Sequence, residues 1–281
     1  MTLDVVPASP ALGIEGHGLD LRKPLAADTI AELTKLWHDH VLLLFRDQEL
    51  SQDEQIRFAN QFGTVGQRAR PPERRAEGAD YNAAVMLITN IRENGVPIGS
   101  LPDGEMWFHH DMCYTAAPHK GTMLFAIQIP STGGNTKYAN MYRAYDDLPS
   151  ETKAKIKGRK ALQIYDFGTV GRVDIDGDIS KYQHYWQPVA ITHPLSGRKA
   201  LYVNPLITAK IEGLPRTESD VLLQELFEFQ NRDDIIYEHV WRTGDLVMWD
   251  NWSSCHARTD FPASETRLMR RCTILGQTLS E

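Results

Sequence analysis

Strand-length apolar runs, separated by turn-forming residues, recur along this chain and limit its fold more tightly than any other feature. Val41-Leu42-Leu43-Leu44-Phe45 is apolar throughout, and Val85 to Ile88, Met123 to Ile129, Ala200 to Val203, Asp245 to Trp249 and Arg267 to Leu275 are short runs of β type. Helical signals interrupt them. Ser51-Gln52-Asp53-Glu54 carries capping-type residues ahead of Gln55 to Ala59. A second helix is expected over roughly Met141 to Lys157, and a third where Thr217-Glu218-Ser219-Asp220 precedes apolar residues at helical spacing from Val221 to Phe229. Many short strands with a few inserted helices predict a mainly β fold with helical additions, of the jelly-roll barrel type.

The 281 residues are expected to form a single domain, since all-β barrels and sandwiches often reach this length as one unit. A hydrophobic share of 42% is enough for a full core. The net charge of −7, with no long run of Lys or Arg, gives no reason to expect nucleic acid or an anionic membrane as partner. Met1 to Pro10 has neither the basic nor the apolar region of a signal peptide, so a cytoplasmic location is expected. Cys113, Cys255 and Cys272 show no C-x-x-C spacing and read as buried thiols rather than as disulfides or a zinc site. Two stretches, one from Gly66 to Asn82 with Arg68, Arg70, Arg74 and Arg75, the other from Gly168 to Asp178, read as surface loops or as lids over a site.

The stretch Trp107-Phe108-His109-His110-Asp111 carries the most chemistry. On a strand, residues i and i+2 share a face, so His109 and Asp111 project together while His110 turns away. One more imidazole would complete the two-His, one-carboxylate facial set that holds Fe(II) and leaves coordination positions open. The chain has ten histidines, and the candidate for that place is His256, which follows Trp249-Asp250-Asn251 after a strand and a turn. Arg267 and Arg271 lie on the strand beyond it, on one face with Met269 and Thr273. Arginine is usually solvated, but two planar forks on the strand that follows a candidate iron ligand suit carboxylate binding.

These residues resemble the taurine dioxygenase family, which includes 2,4-dichlorophenoxyacetate dioxygenase. The resemblance runs from Gly13-Ile14-Glu15-Gly16 through Phe62-Gly63, Gly133-Gly134-Asn135-Thr136, His193-Pro194 with Gly197-Arg198, and Trp249-Asp250-Asn251, to Arg271-Cys272-Thr273-Ile274-Leu275-Gly276. It implies a double-stranded β-helix, a cupin-like jelly roll, with iron held by His109, Asp111 and His256. It implies further that Thr136 and Arg267 bind the far carboxylate of 2-oxoglutarate, and that Arg271 meets the acidic group of the substrate. The presence of Asp111 disfavours the halogenating relatives, which lack this carboxylate. Phe108 stands where relatives place a tryptophan, and no histidine lies between His40 and His109 where taurine dioxygenases carry one in an early loop, so taurine is not the expected substrate.

The implied reaction is hydroxylation of a small anionic organic molecule, using Fe(II), 2-oxoglutarate and O2 and releasing succinate and CO2. A carboxylate or sulfonate end is expected from Arg271, with an aryl or aryloxyalkanoate body among the candidates for the rest. Tyr81, Tyr165, Phe167, Tyr182, Tyr185 and Trp186 are aromatic candidates to accommodate that body, or core residues. Lids are expected near 66–82 and 168–186, and a homo-oligomer, dimer or tetramer, is the expected assembly. The alternatives are a non-catalytic jelly-roll binding protein and a zinc-dependent hydrolase.

Overall fold

A computed structural model describes residues 3–67, 82–101, 104–166 and 171–281. The chain is mostly β with a few helices, as expected. Among the described residues the larger sheet has seven strands, in the order Asp4–Pro7, Ile14–His17, Leu42–Phe45, Leu246–Asp250, Gly121–Gln128, Leu268–Ile274 and Met86–Thr89. A four-stranded sheet runs Ile236–His239, Thr136–Asn140, Ser254–Arg258 and Met106–His109.

Strand alternation sorts the larger sheet into two buried faces. Leu43, Phe45, Met123, Phe125, Leu246, Met248, Cys272 and Ile274 pack with Leu33, Trp37 and Phe58 of the helices Ala27–His40 and Gln52–Asn60. The opposite face, with Leu42, Leu44, Leu124, Ala126, Val247, Trp249 and Met269, joins a second cluster that includes Tyr138 and Cys255 of the smaller sheet. Tyr138 and His256 touch Trp249 across the gap, with ring centroids 5.3 and 4.9 Å apart. Both faces of the central strands are therefore dry, which is why Val41 to Phe45 reads as a continuous apolar run rather than an alternating one.

Ser51 opens its helix with a full capping box to Glu54, as its sequence predicts. The expected helix over Met141 to Lys157 is instead two, Met141–Asp146 and Ser150–Ile156. Pro149 accounts for the break, because the residue before a proline is pushed out of the helical region and proline itself suits a helix start. The three cysteines are buried and free. Most of the first expected lid, with Arg68, Arg70, Arg74, Arg75 and Tyr81, lies outside the described residues, as does Phe167. Of the second, residues 183–186 belong to the strand Gln183–Pro188.

The turn after Leu246–Asp250 is fixed by one fully buried carboxylate. Asp250 Oδ2 accepts from His38 Nδ1 at 2.7 Å and His193 Nε2 at 2.9 Å, and its Oδ1 accepts from the amides of Trp252 and Ser253. Burial alone would raise the Asp250 carboxyl, but His193 and His38 outweigh it and hold it well below the ordinary carboxylate range. Asp250→Ala strips a partner from four buried donors, and a loss of about 3–5 kcal/mol in denaturant unfolding is expected. The stabilisation is present above the unfolded Asp value near pH 4 and is lost as pH falls below it. Acid titration of unfolding for Asp250→Asn against the parent checks that sign.

Candidate active site

A cavity of about 230 Å3 opens between the two sheets. The larger sheet contributes Met86, Ile88, Leu124, Trp249 and Arg271 to its lining, and the smaller one Met106, His109, Thr136, His256 and Arg258. Met106 and His109 both reach it although three positions separate them, because the pairing with Ser254–Arg258 is irregular there and matches Met106 to Arg258 and His109 to His256. Trp107 faces outward and is 45% exposed, while Phe108 packs against the core.

His109, Asp111 and His256 converge here, with one ligand-capable atom of each within 4.8 Å of the other two. The expected strand stops at His109, and Asp111 lies in the turn that follows, where Met112 adopts a φ of 58°. A non-glycine residue in the left-handed region is uncommon and marks a constrained turn. His110 packs its ring against Tyr202, with centroids 4.5 Å apart, and also borders the cavity. The Nδ1–H of His109 donates to the Trp107 carbonyl at 2.9 Å, which leaves Nε2 as the nitrogen with a free lone pair. His256 Nε2 stands 4.0 Å from Asp111 Oδ1. Burial holds both imidazoles below their usual range, which favours the neutral form that a metal requires.

Asp111 is ionised against the cost of its burial. Its environment would raise the carboxyl, but Arg271, His256, His109 and a hydrogen bond from Thr122 hold it well below the ordinary carboxylate range. Arg271 Nη2 lies 2.7 Å from Oδ2, and Thr122 Oγ1 donates to the same oxygen at 2.8 Å. Asn251 Nδ2 in turn donates to Thr122 Oγ1 at 2.9 Å, so the Trp249-Asp250-Asn251 turn that leads to His256 is tied to the acidic member of the cluster. Sequence reasoning did not find Thr122 and Asn251 in this role. Oδ1 remains the oxygen turned toward the histidines.

His38, His193 and Asp250 form a second group of the same residue types. There the lone pairs are spent internally. Both carboxylate oxygens accept two hydrogen bonds each, and His193 Nδ1 accepts from the amides of Leu195 and Ser196. That group serves the fold. The His109 group, by contrast, borders a cavity and keeps unshared ligand atoms facing one another.

Arg267 reaches the same cavity and is 1% exposed. Its Nε donates to the Gly134 carbonyl at 3.3 Å, and its amide to Asn90 Oδ1 at 3.0 Å, while Nη1 is buried with no hydrogen-bond partner among the described residues. A Cβ on Gly134 would meet Arg267 Cδ and Nε at 3.4 Å, and the φ of 65° there also favours glycine. Burial, then Arg258, pushes the Arg267 guanidinium down to about 9, still charged at neutral pH. A charged, partly unmet fork inside a cavity is a site for an anion. Thr136 lines the cavity too, with Oγ1 accepting from Trp241 Nε1 at 3.0 Å, so its own hydroxyl proton is directed elsewhere. Trp241 was another residue the sequence did not reveal.

Of the aromatic candidates, Tyr165 lines the cavity and stacks on Tyr114, with centroids 5.4 Å apart. Tyr182, Tyr185 and Trp186 are not among its lining residues.

Residues 4–273 match the profile of the family described as "Taurine catabolism dioxygenase TauD, TfdA family". The chain is 31% identical to the alpha-ketoglutarate-dependent 2,4-dichlorophenoxyacetate dioxygenase of Cupriavidus pinatubonensis, over 99% of this chain and 100% of that protein. It is also 31% identical to the (S)-phenoxypropionate/alpha-ketoglutarate-dioxygenase of Sphingobium herbicidovorans, over 99% of this chain and 96% of that one. Among solved structures, AAD-2 in complex with Mn(II) and N-oxalylglycine superposes with a TM-score of 0.82 at 29% identity, covering 100% of both chains.

Proposed function

The chain belongs to the TauD/TfdA dioxygenase family, and from that premise we propose which residues perform its reaction and on what class of molecule. It is an iron(II)- and 2-oxoglutarate-dependent dioxygenase that hydroxylates a small anionic organic substrate, and its cosubstrates are 2-oxoglutarate and O2. The two facing sheets are read as the halves of a double-stranded β-helix within a single domain. A cytoplasmic location and a dimeric or tetrameric state complete the reading, the latter to be tested by light scattering.

One observation carries the assignment of roles: His109, Asp111 and His256 converge in a cavity that also holds Arg267 and Arg271. His109 Nε2, Asp111 Oδ1 and His256 Nε2 are the iron ligands in this reading. Iron with its two cosubstrates supplies a two-electron oxidation that places one oxygen atom of O2 on the substrate and the other in succinate, with loss of CO2. The protein's own part is placement. The Trp107 carbonyl sets the tautomer of His109, and Thr122 fixes the plane of the Asp111 carboxylate. Arg267 and Thr136 hold the far carboxylate of 2-oxoglutarate, and so set where its keto acid end lies. Arg271, beside Asp111 on the same side of the cavity, receives the acidic group of the substrate. Met86, Ile88, Met106 and Leu124 give the substrate body an apolar, water-poor surround.

The relatives named for aryloxyalkanoates make that class the first to test, with other carboxylates and sulfonates beside it. Succinate formed in the presence of each acid, under O2, ranks them. A candidate zinc hydrolase would need neither O2 nor 2-oxoglutarate, and a binding protein would turn over nothing. Absence of a visible charge-transfer band on anaerobic addition of Fe(II) and 2-oxoglutarate would overturn the reading.

Two substitutions separate the roles. Thr122→Val removes the donor to Asp111 at constant volume, and metal affinity is expected to fall roughly 10- to 100-fold, the usual cost of a lost hydrogen bond behind a metal ligand. Titration with Mn(II) measures it. Arg271→Ala is expected to raise KM for the primary substrate by about tenfold or more, the scale of a lost charge-assisted contact, while 2-oxoglutarate affinity holds. Unchanged use of the primary substrate would remove Arg271 from that role.

A further inference from the structure

A second guanidinium stands at the cavity end occupied by Arg267. Arg258 follows His256 by two positions on the Ser254–Arg258 strand and so shares its inward face. It is 8% exposed and lines the cavity together with Thr136 and Arg267. In the strand register Arg258 sits directly opposite Thr136, and side chains of directly opposed residues are neighbours on one face, with Cβ atoms about 4.5–5.5 Å apart. Arg258 is also the charged neighbour that acts on Arg267.

The head of Arg258 is held in place. Its Nη2 donates to the Gly104 carbonyl at 2.6 Å, and Cζ lies 5.5 Å from the centre of the Phe261 ring. A carboxylate has two oxygens with about four acceptor positions, enough to meet the unpartnered Nη1 of Arg267 and a further donor beside it. Thr136 adds a hydroxyl donor at the same place. Arg271, four residues from Arg267 along the chain, is engaged with Asp111 instead. The cavity thus has one guanidinium beside the acidic ligand and two grouped with Thr136.

We propose that Arg258 determines cosubstrate specificity: with Arg267 and Thr136 it acts on the far carboxylate of 2-oxoglutarate and selects 2-oxo acids that carry a second carboxylate. The proposal rests on the assignment of Arg267 and Thr136 made above. A role confined to contacts within the protein, the Gly104 carbonyl among them, is the competing explanation, and it predicts no discrimination between keto acids.

The test is equilibrium titration of the Mn(II)-loaded protein with 2-oxoglutarate and with 2-oxopentanoate, which has the same chain length but lacks the far carboxylate. Arg258→Gln is expected to weaken 2-oxoglutarate about tenfold, the scale of one charge-assisted contact, and to leave 2-oxopentanoate within about twofold. Arg258→Lys should recover part of the loss, because it keeps the charge but not the fork. Arg258→Met, which keeps the apolar stem, takes the place of the glutamine variant if that fails to fold, and is read in the same way. Unchanged 2-oxoglutarate binding, or an equal loss for both acids, overturns the proposal. Arg267→Ala distinguishes the two levels: loss there with none at Arg258 refutes Arg258 alone, while no loss in either refutes the assignment of this cavity end as well.

Discussion

His256→Ala is expected to fold and to form no measurable succinate, with or without a primary substrate. The drop should far exceed the roughly 10- to 100-fold that loss of a hydrogen bond behind a metal ligand costs, because one of the three proposed ligands itself disappears and the two left, His109 and Asp111, belong to one short segment. His256 pairs in register with His109 across adjacent strands, and its ring centroid lies 4.2 Å from that of His109. No other histidine shares this arrangement with Asp111 among the described residues. The control is His193→Ala. It removes an equally buried imidazole that also bonds an aspartate, but one whose donors and acceptors are committed to the fold. That variant should lower the unfolding midpoint and keep Mn(II) affinity per folded molecule, whereas His256→Ala should do the reverse. Retained metal affinity in His256→Ala would remove this residue from the iron site.

How far the sequence foretold this site depends on whether a relation was local. Residues that share a strand were legible, because alternation is a property of the backbone alone. Met269 and Arg271 do face the cavity side of Leu268–Ile274, and Cys272 and Ile274 do face the helices. The pairing of His109 with Asp111 was legible even though the strand ends between them, since the extended course of the chain carries just far enough. Arg258 shares the face of His256 by the same rule, yet it was not singled out from the sequence. Relations across strands were not legible. Thr122 meets Asp111, Asn251 meets Thr122 and Trp241 meets Thr136 over separations of 11, 129 and 105 residues, and only the register of the folded sheets decides such contacts. The break in the helix over Met141 to Lys157 is a different case. Pro149 carries a local signal for it that the expectation of a single helix did not use.

Arg267→Ala should leave the three proposed iron ligands in place and weaken binding of the cosubstrate. In the structure Arg267 lines the cavity, its guanidinium is almost wholly buried and anchored at Nε by Gly134, and Nη1 has no hydrogen-bond partner among the described residues. Such a group is costly without an anion, and the far carboxylate of 2-oxoglutarate is the anion that the family chemistry brings. Truncating one partner of a buried, hydrogen-bonded charge pair costs about 2–5 kcal/mol, which is roughly 30-fold to several thousandfold in the dissociation constant. The same truncation relieves the unpaired buried charge in the free protein, so the variant should unfold no earlier than the parent in the absence of 2-oxoglutarate. The thermal shift that 2-oxoglutarate gives the Mn(II)-loaded parent should shrink or vanish in the variant, since a ligand stabilises only in proportion to its binding. Mn(II) affinity should not move, because Arg267 touches none of the three proposed ligands. An intact 2-oxoglutarate shift in Arg267→Ala would mean that the far carboxylate is held elsewhere, and that the buried guanidinium has another occupant.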